Sequence, residues 1–165
     1  MSVIVTTPEK FPAQIKKVMR KDVPNWQAGM HKKIHIQTAN GMIMGTPVGN
    51  VELWDIYWET GGNLPEDLEG YVGGRARGNW QSSTNWPVAG ETGREDKSGS
   101  ETRQANVAAA ASIQPYSRSF ISNNVPYIVV LNDGLNGKQH TFQAPLQWME
   151  GVLDKVAAQF ERDQI

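Results

Sequence analysis

The chain contains no cysteine, which excludes disulfides, thiol catalysis and thiolate metal sites. No apolar run approaches the ~18 residues a membrane helix requires, so no transmembrane segment is expected. There is no surplus of positive charge. The 16 Lys and Arg are balanced by 17 Asp and Glu, for a net charge of −1, whereas a dedicated nucleic-acid binder usually carries a basic excess. Met1 to Pro8 have neither a basic n-region nor an apolar stretch of signal-peptide length, so no signal peptide is expected. One segment, 89–105, has no large apolar side chain. Its first part buries too little surface to order itself, and a flexible loop is expected over 89–100, ordering only on docking.

What remains describes one folded domain over residues 1–165. Sixteen glycines and nine prolines make turns frequent, and six tryptophans exceed what one small core needs. Tryptophan is favoured at protein–protein hot spots.

Phe11, Ile15, Val18 and Met19 share one face of a helix expected over 8–22, and Pro24 is expected to break or kink it. A second helix is expected over 25–44, capped by Asn25, with Trp26, Met30 and Ile34 on one stripe and Pro47 as its stop. Residues 47–75 are rich in Gly, Pro and aromatics and read as an ordered loop. Trp54, Tyr57 and Trp58 cluster there without core periodicity, so they are expected at a subunit or neighbour interface.

A strand is expected over 76–88, an alanine-rich helix over 101–114 and a short strand over 119–122. The apolar run 125–131 fits either helix or strand. Asp133-Gly134 and Asn136-Gly137 signal turns. A final helix is expected from Pro145, with Leu146, Met149, Val152, Leu153, Val156 and Phe160 on one stripe. The fold class is α+β: a short antiparallel β-sheet flanked by N-terminal and C-terminal helices.

The residues offer little for catalysis. His31 and His35 have the i, i+4 spacing of a zinc helix, but Lys32 stands where His-Glu-x-x-His places its general base. Two partly exposed polar positions are the plainer reading. His140 is the one other histidine, and there is no Gly-x-Ser-x-Gly elbow for a serine nucleophile. The acids at 66–69 and 95–96 lie in polar stretches that would not raise a carboxyl pKa. Gly73-Gly74-Arg75-Ala76-Arg77-Gly78 is not a phosphate loop, because the Gly-Lys-Ser/Thr ending is missing. Arg75 and Arg77 could touch phosphate; a tight turn whose arginines pair with acids of this or a neighbouring subunit is preferred.

Two ordered segments say more. The first runs from Thr46-Pro47-Val48 to Gly74-Arg75-Ala76-Arg77-Gly78-Asn79-Trp80. The second runs through Asn123-Asn124-Val125-Pro126-Tyr127, Asn132-Asp133-Gly134 and Gln143-Ala144-Pro145. Together they resemble the tail-completion, minor-tail-protein-Z-like neck proteins of tailed bacteriophages, over residues 8–162 in order. Asn132 stands where that family carries an acid before the glycine.

The resemblance implies a non-enzymatic structural protein without cofactor or metal. Copies would form a six- or twelve-fold ring in the virion neck, between head connector and tail. The ring would complete the tail and leave a channel for non-specific passage of genomic DNA. It would contact other head–tail connector and tail proteins and be made in the host bacterial cytoplasm. A head-closure or tail-terminator role is the near alternative. From other classes, a metal-dependent hydrolase would start from His31 and His35, and a nucleic-acid-binding module from Arg75, Arg77 and Arg118.

Overall fold

A computed structural model describes residues 11–50, 52, 59, 61–62, 72–135, 138–139 and 143–162. Its longest element is a single helix that begins as α1 (Phe11–Lys17), passes through a π-helical turn (Val18–Asp22) and continues as α2 (Val23–Gly45). Of the break or kink expected at Pro24, the break does not occur and the irregularity is a local widening of the helix. A proline in a regular helix clashes with the carbonyl four residues back. Here the preceding turn is widened, and the Val23 N–H bonds to the Val18 carbonyl five residues back. Asn25 is therefore inside the helix and not its cap. The helix ends where expected: Thr46 turns extended and Pro47 follows.

The strand expected over 76–88 divides. Residues Arg75–Gly78 form one helical turn, α3, and only Gln81–Ser83 are extended, as β1. Gly74 enters α3 at φ 97°, a left-handed conformation that favours glycine. The alanine-rich helix, α4, spans Ser100–Ala110, and β2 spans Phe120–Ser122. The two strands pair antiparallel, with Gln81 opposite Ser122 and Ser83 opposite Phe120. The open choice at 125–131 resolves to a short helix, α5 (Ile128–Asp133).

The last helix, α6 (Trp148–Arg162), starts three residues after Pro145. Its start is set from elsewhere in the chain: buried Asn132 accepts the Met149 N–H on its side-chain oxygen at 2.9 Å and the Gln147 N–H on its carbonyl at 2.7 Å. These satisfy donors that the first turn of a helix cannot pair internally.

Helix α6 packs along the C-terminal half of α2, and α4 packs against α2 and β1. Gly41 and Gly45 make the first contact close: a Cβ at Gly41 would stand 2.5 Å from Val152 Cγ1, and one at Gly45 2.8 Å from Trp148 Cε3. The core joins Met42, Ile43, Ala76, Trp80, Val125, Ile128, Ala144 and Trp148. Trp80 and Trp148 meet edge to face, with ring centroids 6.3 Å apart. Each indole N–H is satisfied, by the Thr46 hydroxyl and the Leu131 carbonyl respectively. The fold is thus α+β with a two-stranded antiparallel sheet. No helix among the described residues is long and apolar enough to cross a membrane.

Candidate functional site

The Gly-Arg-Ala-Arg-Gly-Asn-Trp segment is the centre of a polar hub. Arg77 reaches the end of α2 and donates to the carbonyls of Thr46 at 2.8 Å and Met44 at 3.4 Å, and to the Lys97 carbonyl at 2.5 Å. A guanidinium there pairs orphan carbonyls and sits at the negative pole of the helix. Burial, partly offset by Asp96, lowers its pKa from the usual arginine value. Arg75 makes a two-pronged pair with Glu91 at 2.8 Å. This fits the arginine–acid pairing expected for that position, whereas Arg77 is spent on carbonyls.

Residues 89–99, within the 89–100 segment expected to be flexible, follow a defined path across this hub, and Ser100 already belongs to α4. Gly78 and Gly74 allow the approach. A Cβ on Gly78 would collide with the Arg94 carbonyl oxygen, and one on Gly74 would stand 2.6 Å from the Lys97 nitrogen. Thr92 and Arg94 donate to the Gly78 carbonyl, both at 3.1 Å. Asn124 donates to the carbonyls of Val88 and Gly90 at 2.9 and 2.8 Å.

The anchor is Asp96, 6% exposed. It accepts the N–H groups of Gly99 and Thr102 and the hydroxyls of Ser98 and Thr102, all at 2.8–2.9 Å. Burial alone would raise its carboxyl. The bonds from Thr102, Ser98 and Gly99 override it and hold the pKa at about 2. Asp96 therefore starts α4 and fixes the loop at once. Its sequence signal was Asp-x-Ser-Gly followed by Thr ahead of an alanine-rich run, a helix-start pattern. Low apolar content hid it.

A second polar cluster lies under α2. Asn106 donates to the carbonyls of Trp80 at 2.9 Å and Thr102 at 2.7 Å, so its oxygen faces the Ser82 hydroxyl and accepts from it. Ser82 is then the acceptor for His35 Nε2–H at 2.8 Å, and His35 Nδ1 accepts from Ser119 at 2.8 Å. Ser119 in turn accepts from His31 Nε2–H at 2.8 Å. Asn106 sets the direction as far as His35 Nε2–H, and the neutral form of His35 sets it from there to Ser119 and His31. Burial lowers the His35 pKa, and His31 lowers it further. Both histidines are committed to serines, and no group of three or more His, Cys, Asp or Glu that could hold a metal occurs among the described residues.

The remaining residues singled out from the sequence fall as follows. Pro47, Gly74 and Ala144 are buried, and Asn79 is 1% exposed. Asn79 accepts Gln81 Nε2–H at 3.3 Å. Tyr127 is half-buried against the core, next to the start of α5, and Pro126 beside it is exposed. Gly134 follows α5 at φ 76°. Gln143 lines a cleft of about 550 Å³ beside Thr46, Arg77 and Lys97. Pro145 is exposed. Arg118 is exposed. Trp54, Tyr57, Trp58 and His140 lie outside the described residues. No protein family, curated protein or solved structure matches the chain.

Proposed function

We propose that the chain is a structural protein of a tailed-bacteriophage neck, forming a ring that completes the tail, joins it to the head and leaves a DNA channel. One observation carries this reading. The residues that bear the resemblance are used for architecture: Arg77 closes α2, Gly74 and Gly78 seat the 89–99 segment, Asn124 fastens it with Asn79 donating to Glu91 at 3.4 Å, and Ala144 lies in the core. Such a protein acts through its outer surface. The large apolar side chains it exposes, including Trp26 at 63% and Trp86 at 79%, supply candidate contacts.

His31 and His35 bond to serines, and Arg75 and Arg77 bond to Glu91 and backbone carbonyls, which weakens the enzyme and nucleic-acid alternatives and leaves the latter exposed Arg118 as its starting residue. The test is the mass of the purified protein by light scattering, followed by negative-stain imaging. A closed six- or twelve-fold ring is expected. Replacing Trp54, Tyr57 and Trp58 with Ser is expected to abolish the ring and leave the monomer folded. Persistent monomer under all conditions, including addition of isolated phage connectors, would remove the reading.

A further inference from the structure

Every described side chain from 12 to 26 is exposed except half-buried Pro24. This N-terminal arm of the long helix extends roughly 24 Å, at ~1.5 Å per residue. Yet it is not a polar helix. Ile15, Val18, Met19, Val23 and Trp26 are exposed by 38–64%. A helix of this length is marginal alone in water and gains stability by burying an apolar face. The arm is also basic: Lys16, Lys17, Arg20 and Lys21 stand against Asp22 alone.

Elsewhere on the same chain is a surface of opposite character. An apolar groove of about 300 Å³ runs between α2 and α6, lined by Ile34, Thr38, Leu153, Val156, Ala157 and Phe160. Leu153 on its rim is 50% exposed. At ~100° per residue, Glu150, Asp154 and Glu161 fall together along one edge of this face of α6, while Lys155 and Arg162 fall on its far side. The groove is thus an apolar floor with an acidic edge, and the arm an apolar stripe with basic flanks.

We infer that the arm of one copy seats in the α2–α6 groove of a second copy, with its lysines and Arg20 along the acidic edge. Arm against arm would set like charges side by side. Arm against groove pairs two different surfaces, and such head-to-tail contacts close into rings when the rotation permits. The inference deepens the ring reading and rests on it.

The absence of native cysteine makes a direct test clean. A chain carrying Met19→Cys is mixed with one carrying Ala157→Cys and treated with a thiol-specific bismaleimide, while sedimentation velocity follows the untagged protein. A cross-linked pair is expected from the mixture. Reversing Lys16, Lys17, Arg20 and Lys21 to Glu should cut its yield at least tenfold. Adding Asp154→Lys and Glu161→Lys to the receiving chain should restore it. Circular dichroism of each variant checks that the fold survives.

Large species without the cross-link would overturn the inference and leave the ring reading intact. A strict monomer with no cross-link at the highest concentration would count against both. Arm-dependent binding to phosphatidylserine vesicles without cross-linking would name an anionic membrane as the occupant and overturn the second-copy assignment.

Discussion

Residues 89–99 hold no large apolar side chain, yet they lie directly on α3 and are fixed by Asp96, Thr92, Arg94 and Asn124. Residues 12–26 carry an apolar stripe and, apart from half-buried Pro24, stand in solvent. The first region is ordered because each buried polar group finds a partner and because glycine backbone permits close approach. The second shows that an apolar stripe has value only where a surface exists to receive it. Composition ranks the two regions in the wrong order, because it counts what a segment could bury and not what stands beside it.

The strongest way to break this comparison is Asp96→Ala. It leaves the Gly99 and Thr102 N–H groups without acceptors beside a small void, and a loss of about 3 kcal/mol is expected in urea unfolding. A loss below 1 kcal/mol would show that the segment is held by something else.

Gly78→Ala should cost about 2 kcal/mol, since the new methyl displaces the Arg94 carbonyl. It should also release the amides of Gly99 and Thr102, protected from hydrogen exchange in the parent, to fast exchange. Acid offers a gentler probe. The Asp96 carboxyl titrates near 3.8 when unfolded and at about 2 when folded. Its contribution is therefore complete above about pH 4 and lost as pH falls toward 2, a change of about 2 kcal/mol. Asp96→Asn should remove that slope.

His35 gives a smaller effect at milder pH. Its folded pKa lies below the ordinary 6.5, so the unfolded chain takes up the proton first and stability declines as pH drops below about 6.5. His35→Gln should flatten this part of the profile. The smallest effect is expected in the arm: Met19→Ser with Trp26→Ser should change monomer stability by less than ~0.5 kcal/mol. A larger loss would mean that the arm already packs on its own body.

Much of the fold was legible because it rests on local periodicity and punctuation. The stop at Pro47, the 120–122 strand, the turn at Gly134 and the apolar stripe of α6 all stand close to where their residues place them. The failures share one cause, which is that a distant partner decides. Pro24 looked like a break because the widened turn ahead of it has no sequence mark. Pro145 looked like the start of α6, but Asn132 across the chain supplies the cap. Gly41 and Gly45 are the positions where α6 comes closest, and nothing local in the sequence marks them as a contact. Gly74 to Trp80 stand together in the sequence as one segment, whereas Asp96, Ser82, Ser119 and Asn106 are scattered and their roles exist only after the chain has folded.

The π-helical turn at Val18–Asp22 also fixes a compass bearing. A regular helix would advance each side chain by ~100°, so the residue absorbed in that wide turn sets the azimuth at which Ile15 and Met19 leave the molecule. Tightening that turn to a regular helix with all of its residues kept, as Pro24→Ala allows, would leave the arm's chemistry almost unchanged while swinging its stripe about a quarter-turn around the axis; deleting one residue as well would cancel the swing. The heading of the arm is thus encoded in how many residues one turn holds, and a change in that number would re-aim it without altering what it is made of.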